Sequence, residues 1–241
     1  LLKTSVLENQ SVKVDTISGA TLASDGFLAA VKAAITAAGG DAASFEKEIQ
    51  GGNAVEQTLD VDVVVVGAGA AGLAAALSAQ EAGADVMIME KTGVTGGSTT
   101  RSGGKVLAAG TKWQTAQDFT DNADMMYNYL MSFDRDGLMD SALVKQFCDT
   151  SLENIMWLDE RGVPFINVEP IHSSITPWRV HNVTGGGGQT SGHGGQIMVP
   201  LTSAYEKKGG RILYECAAKE LLTNADGAVV GVVGEKTHGG K

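Results

Sequence analysis

Residues 61–90 read VDVVVVGAGAAGLAAALSAQEAGADVMIME, and this stretch decides the fold. The β-branched run 63–66 is too short for a helix and too apolar for a sheet edge, so it predicts a buried parallel strand. Gly67, Gly69 and Gly72 follow at the G-x-G-x-x-G spacing. In that motif the first glycine allows the tight turn, the second lets a pyrophosphate approach the backbone, and the third lets helix and strand pack closely. An Ala/Leu-rich helix is predicted over about 70–82, stopped by Gly83, with its free N–H groups and dipole toward the phosphates. A second strand over 85–89 delivers Glu90, whose carboxylate can accept from ribose hydroxyls. Glu90 follows the last glycine by about the 20 residues that the motif requires. A glycine motif alone is weak; strand, turn, helix, strand and acidic terminus in order point to a dinucleotide site.

Working outward, the formal charge of −10 argues against a nucleic-acid partner. No apolar run approaches the roughly 18 residues of a membrane span. Glycine, 32 of 241 residues, is about double its usual share. It clusters at 67–72, 93–104 and 185–195, the pattern of backbone brought close to a ligand. Cys148 and Cys216 belong to no C-x-x-C pair, which excludes a zinc knuckle or c-type haem, and buried free thiols are the expectation, with a disulfide left open. The first residue is not Met and no leader pattern follows it, so the chain reads as cut at its start.

Before the dinucleotide stretch, Ser11-Val12-Lys13-Val14 alternates like a strand. A helix follows with Phe27, Leu28, Val31 and Ile35 on one stripe, closing at Gly39-Gly40. Between them lies Asp15-Thr16-Ile17-Ser18-Gly19-Ala20-Thr21, where Ser18 or Thr21 could be no more than a helix cap. The whole heptad, D-x-x-[ST]-G-A-T, resembles the flavinylation signature of the FMN-binding domains of sodium-pumping NADH:quinone reductase subunits and multidomain flavin reductases. The resemblance implies covalent FMN on Thr21, with Asp15 and Ser18 shaping the site and Gly19 keeping the backbone close. Residues 40–60, with Gly51-Gly52 at their centre, read as a linker.

After Glu90, residues 91–104 (KTGVTGGSTTRSGG) are expected to stay irregular, offering hydroxyls and bare amides to a ribityl chain and a flavin ring rather than to NAD. The pattern E-K-x-x-x-x-G-G-[NS]-[ST]-x-x-S-G-G resembles the flavoprotein subunits of the fumarate reductase/succinate dehydrogenase superfamily, nearest the flavocytochrome c fumarate reductases and urocanate reductases. That resemblance spans about residues 60–235. It implies FAD contacts from Gly67, Gly69, Ala70, Ala71, Gly72, Glu90, Lys91, Gly97, Ser98, Thr99, Ser102, Gly103 and Gly104, and from backbone near Ala218, with Gly104 also approaching the substrate.

Further along, one amphipathic helix is expected over 113–130, with Phe119, Met126 and Leu130 in the core. Asp134, Asp136 and Asp140 lack calcium-loop spacing and read as a solvated face. A helix over 141–161 carries a broad apolar face of Leu143, Val144, Phe147, Leu152, Ile155, Met156 and Leu158, ended by Gly162 and Pro164. His172, His181 and His193 show no metal-ligand spacing, so no metal is expected. Arg179 and His181 are pocket candidates by resemblance, with structural roles as the default; His238 carries no functional weight. A helix over 194–208 leads to a strand at 211–214, and Asn224-Ala225-Asp226-Gly227 signals a hairpin between 219–223 and 228–233.

The expected architecture is α/β: a Rossmann-like FAD-binding domain, incomplete, preceded by the C-terminal part of a small α+β FMN-binding domain. The division is 1–40 partial FMN-binding domain, 41–59 linker, and 60–241 the N-terminal part of the FAD-binding domain, without its return strand or substrate-clamping domain. The resemblance implies reduction of an α,β-unsaturated carboxylate of fumarate or urocanate type, with FMN relaying electrons from an upstream donor to FAD. The catalytic arginine and the carboxylate-holding residues are expected beyond residue 241, and this stretch alone is expected to be inactive. Two alternatives stand beside it: a flavin dehydrogenase of the ketosteroid 1-dehydrogenase type, and an electron-transfer module without substrate chemistry. Covalent FMN also implies an exported bacterial protein, periplasmic or at the cell surface.

Overall fold

The computed structural model describes residues 2–14, 16, 21–47, 56–170, 176–183 and 193–236. Its first elements are α1 (Leu2–Asn9), α2 (Thr21–Ala37), β1 (Val63–Val66), α3 (Ala70–Glu81), β2 (Val86–Met89), α4 (Gly97–Arg101), β3 (Lys105–Leu107) and α5 (Lys112–Thr115). There follow α6 (Ala123–Met131), α7 (Ser141–Glu160), β4 (Asn167–Glu169), β5 (Val180–Asn182), α8 (Gly195–Lys207), β6 (Arg211–Leu213), β7 (Cys216–Thr223) and β8 (Val229–Lys236). The chain forms two compact units, discontinuous in sequence. One holds Leu1–Ala68, Ala79–Thr95 and Arg211–Lys241; the other holds Gly69–Ser78 and Gly96–Gly210.

In the first unit, a parallel sheet runs in the order β1-β2-β6. β2 is the centre and all four of its residues are buried. The valine run pairs in register with β2, Val63 opposite Val86 and Val66 opposite Met89. Its expected burial on both faces is corrected: β1 is an edge of the described sheet, and Val64 and Val66 are 36% and 56% exposed. Only β2 flanks it among the described residues, so alternate valines face outward. α3 ends as its glycine predicts. Gly83 takes φ +94°, its N–H donates to the Gln80 carbonyl, and that of Ala84 donates to the Ala79 carbonyl, a Schellman motif. β7 and β8 extend the predicted hairpin at both ends, with Gly227 at φ +79° and the Asn224 carboxamide oxygen accepting from the Asp226 and Ala228 N–H groups.

The N-terminal alternation at 11–14 is not a strand. Val12 and Val14 are buried and Lys13 is exposed, but the Val12 N–H donates to the Phe45 carbonyl rather than to a ladder. α1 ahead of it was not anticipated. The first residues of the expected linker are tied down, because Asp41 caps a 3-10 turn over Ala42–Phe45 and Ser11 donates to the Lys47 carbonyl. α2 carries its apolar stripe only half-buried: Phe27 is 37% exposed, and Ser24 is the buried residue among those described on the helix. Asp15, Ser18, Gly19, Gly51-Gly52, His172, the 185–188 glycines and His238 lie outside the described residues.

In the second unit, β3, β5 and β4 form an antiparallel sheet in that order, which no periodicity could announce from three-residue strands. The expected helix over 113–130 is two helices. Thr111 and Gln114 form a capping box at the start of α5, Asp118 takes φ +60°, and Asn122 restarts the chain by capping α6 at the Met125 N–H. Met126 is fully buried as expected, with Ala109 and Cys148, and Leu107, Ala123, Tyr127, Leu130 and Val144 pack on that cluster. Asp140 caps α7 by accepting from Ala142 and Leu143, and Asp134 accepts from Leu138 and Met139, so these two carboxylates organise backbone rather than merely facing solvent. α7 buries Cys148, Ser151 and Ile155, whereas Leu143, Phe147 and Leu152 are 64%, 45% and 41% exposed. The sequence offers two adjacent apolar stripes, and the packing uses one. Gly162, at φ +85°, ends the helix as predicted. Both cysteines are free and buried, and burial raises both thiol pKa values.

Candidate functional site

In the first unit, the site is built on the turn that leaves β1. Gly67 sits at φ +98°, a conformation that favours glycine, and its N–H donates to the Met89 carbonyl across to β2. Glu90, 7% exposed, closes this turn. Its Oε2 accepts from the Ala68 N–H at 2.8 Å, and its Oε1 accepts from the Thr92 N–H at 2.8 Å. The Thr92 hydroxyl lies 2.8 Å from both Glu90 Oε1 and the Val94 carbonyl, with one proton to give. The Glu90 main chain is tied on both sides: its N–H donates to Leu213 and its carbonyl accepts from Cys216. An ionised carboxylate offers about four acceptor positions. Glu90 therefore holds the turn, a role that the sequence reading did not assign it, and Oε2, with one donor among the described residues, has acceptor capacity beyond it. Thr92, two residues on, carried no sequence signal.

Lys91 and Ala218 are exposed. Ala218 stands opposite Gly234 on the hairpin, beside a register shift. A Cβ on Gly234 would run into the end of the Met89 side chain and stand 2.9 Å from Cys216 Sγ, so a larger residue there would have to displace these two side chains between the hairpin and β2.

In the second unit, Gly69 precedes the first turn of α3, where Ala70, Ala71 and Gly72 present helix N-terminal N–H groups. Nothing described lies within 4 Å of a Cβ added at Gly69, and no positive φ accompanies it. Neither backbone strain nor packing demands glycine there, which fits a position left bare for a ligand to approach. Gly67 and Gly97 likewise face open space.

The segment 96–104 belongs to this unit, and it corrects an expectation. Instead of staying irregular, it winds into α4, because Gly96 at φ +120° turns the chain and its carbonyl accepts from the Thr99 and Thr100 N–H groups. Gly97 and Ser98 are exposed at the helix start, and Thr99 is half-buried. Ser102 Oγ donates to the Thr99 carbonyl at 2.7 Å and accepts from Gly104 N–H at 3.3 Å. Gly103 faces only the Lys105 side chain. Gly104 is buried at φ +67°, and a Cβ there would come within 2.9 Å of the His193 backbone and 2.7 Å of Val183. The protein's own packing thus requires glycine at 104, whatever else approaches it.

Arg179 and His181 take structural roles. Arg179, 4% exposed, makes a bidentate pair with Asp121, whose side chain is fully buried, both contacts 2.7 Å, and its guanidinium lies 4.9 Å from the Tyr129 ring centre. Gln114 donates to Asp121 and to the Trp178 carbonyl. His181 Nε2 is 2.7 Å from the Thr111 hydroxyl and Nδ1 is 3.0 Å from the Arg179 carbonyl, which makes Nδ1 the protonated nitrogen. Burial lowers the His181 pKa, opposed by backbone hydrogen bonds. No sequence signal could have matched Arg179 to Asp121, 58 positions away, or His181 to Thr111, 70 away.

Thr21 is the exposed first residue of α2, a 17-residue helix, so its hydroxyl sits where helix N–H groups lack intrahelical acceptors. That placement fits a phosphate joined to Thr21. Among the described residues no group of His, Cys, Asp or Glu is arranged to hold a metal ion. No described helix is long and apolar enough to cross a membrane.

The family described as FAD binding domain matches residues 62–241, and the family described as FMN-binding domain matches residues 2–36. A urocanate reductase of Eggerthella lenta is 34% identical over 98% of this chain, which spans 38% of that protein's length. Among solved structures, the open conformation of a flavocytochrome c3 fumarate reductase aligns with TM-score 0.66 at 30% identity, covering 74% of this chain and 30% of that one. A 3-ketosteroid-Δ4-(5α)-dehydrogenase from Rhodococcus jostii RHA1 aligns with TM-score 0.66 at 32% identity, covering 77% of this chain and 44% of that one.

Proposed function

Since this chain belongs to the FAD binding domain family and carries an FMN-binding domain match ahead of it, we propose that it is the flavin-bearing part of an oxidoreductase that reduces the C=C bond of an α,β-unsaturated carboxylate of fumarate or urocanate type. The observation that carries this reading is the joint match. The relative named urocanate reductase runs in parallel with nearly the whole chain, FMN region included. When bound, FAD supplies hydride transfer to the substrate's β-carbon, and FMN carried on Thr21 supplies the electron relay from an upstream donor.

The chain's own residues bind and orient. The backbone of Gly69, Ala70, Ala71 and Gly72 offers N–H groups to a pyrophosphate, and Gly67, whose own N–H donates to the Met89 carbonyl, makes the tight turn ahead of them. Glu90 accepts from a ribose hydroxyl with the capacity it keeps after closing its own turn. Lys91 flanks that carboxylate, and the backbone near Ala218 serves the adenine. Gly97, Ser98, Thr99, Ser102, Gly103 and Gly104 serve the flavin, Gly104 on the substrate side. Ser18 and Gly19 accompany Thr21. Arg179 is committed to Asp121 and is unsuited to proton donation, so the proton donor and the carboxylate clamp are assigned elsewhere in the full-length protein. The domain division proposed is 1–40, 41–59 and 60–241. Covalent FMN supports an exported location, periplasmic or at the cell surface.

A second reading is a flavin dehydrogenase of ketosteroid type, favoured by the Rhodococcus jostii likeness. The FMN-binding match weighs toward the reductase, because a relay of electrons inward suits a reductase. The test is anaerobic oxidation of reduced viologen by the full-length flavinylated protein with fumarate, urocanate or acrylate. Turnover of one of these acids supports the proposal. Steroid oxidation with an artificial acceptor and no acid reduction selects the second reading, and flavin reduction without turnover of either class leaves an electron-transfer module.

A further inference from the structure

We infer that Gly194 is a positioning residue for FAD, acting through the segment 96–104; the inference rests on the flavin reading above. Gly194 sits at φ −57°, ψ −18°, an ordinary helical conformation open to any residue, so its backbone angles do not call for glycine. Contact does. A Cβ at 194 would run into the Thr99 carbonyl oxygen, and would stand 2.8 Å from the Thr99 carbonyl carbon and 2.7 Å from Ser102 Oγ. The Gly194 N–H meanwhile donates to the Ser102 carbonyl at 3.0 Å. The Thr99 carbonyl also accepts from the Ser102 N–H and hydroxyl, so the missing side chain at 194 leaves room for the point on which the end of α4 is folded.

Two more approaches flank this one. A Cβ at Gly96 would meet the Thr100 side chain and lie 3.6 Å from Met198 Cγ on α8, and one at Gly104 would stand 2.9 Å from the His193 backbone. Residues 193–198, leading into and opening α8, therefore lie against the segment at its beginning, middle and end. The neighbouring glycine behaves differently: a Cβ at Gly195 reaches only Thr100 Cγ2, at an ordinary 3.8 Å. Side-chain volume is excluded at 194 and tolerated at 195.

Gly194→Ala and Gly195→Ala are a matched pair in the full-length flavinylated protein. The readouts are FAD dissociation by fluorescence titration, the visible circular dichroism of bound flavin, and the melting temperature. Displacing backbone in a packed segment predicts FAD binding weakened by roughly tenfold or more in G194A with an altered flavin dichroism, and within about twofold of wild type in G195A. A purely structural glycine would lower the melting temperature and leave affinity and dichroism unchanged, which overturns the inference. If G194A fails to fold, hydrogen exchange on wild type decides: FAD must slow the amides of both 97–104 and 194–198, and protection of 97–104 alone overturns it. Wild-type protein that binds no FAD sinks the flavin reading and this inference together; equal binding by wild type and G194A sinks this inference only.

Discussion

Replacing Glu90 by glutamine keeps the shape of the side chain and changes what it can accept. The carboxylate takes the Ala68 N–H on one oxygen and the Thr92 N–H, with its hydroxyl nearby, on the other. Glutamine has one acceptor oxygen, and the Thr92 side presents more donors, so the amide nitrogen turns toward Ala68 and meets an N–H with an N–H. Ala68 is fully buried, and water cannot substitute. Leaving a buried donor unsatisfied costs about 1–3 kcal/mol. Because that turn has to be formed for a dinucleotide to bind, the loss should appear in FAD affinity, as roughly a 5- to 150-fold rise in Kd. Any part of the cost already present without ligand should appear as a lower melting temperature. Flavin fluorescence titration paired with thermal unfolding of the full-length protein separates the two. Thr92→Val removes only the hydroxyl and should cost about 0.5–1.5 kcal/mol. An E90Q protein with unchanged Kd and unchanged melting temperature would refute the assignment of Glu90 as the clamp of this turn.

Other expectations are shorter to state. Asp121→Asn leaves the Arg179 guanidinium buried with half its partner, so unfolding stability measured in urea should fall by about 3–5 kcal/mol; a loss below about 1 kcal/mol contradicts the buried-pair reading. His181 is held neutral by burial, with its pKa below the ordinary 6.5. The unfolded chain then binds the extra proton first, so stability is fully present above pH 6.5 and falls as pH drops through that value, by at most about 1.4 kcal/mol per pH unit. Urea midpoints between pH 5 and 8 should show this slope in wild type, and a His181→Gln protein with the same slope would rule His181 out as its source. Thr21→Ala should abolish flavin fluorescence of the denatured full-length protein on a gel while released FAD stays unchanged; persistent fluorescence places the covalent flavin elsewhere. Met126→Ala, in the centre of the α6–α7 core, should cost about 2–5 kcal/mol of stability, and a cost under 1 would mean that the core collapses around the gap.

Local pattern and glycine punctuation were enough, from sequence alone, for β1, the Gly67 turn, α3 with its stop at Gly83, β2, the 141–160 helix and the Asn224–Gly227 hairpin. Each of these is written within a few dozen consecutive residues, by side-chain period, by caps, or by a backbone angle only glycine takes readily. The two cofactors were legible for the same reason, since both signatures are contiguous. Tertiary structure alone decided the rest. It put the valine strand at an edge, chose one of the two apolar stripes on α7, and broke the 113–130 helix at Asp118. It also spent Arg179 on Asp121, made Glu90 the clamp of its own turn, and required glycine at 194 by bringing the Thr99 carbonyl against it. None of these follows from spacing, because each depends on which segment the returning chain lays alongside, and a contact between residues dozens of positions apart leaves no period in the sequence to be read.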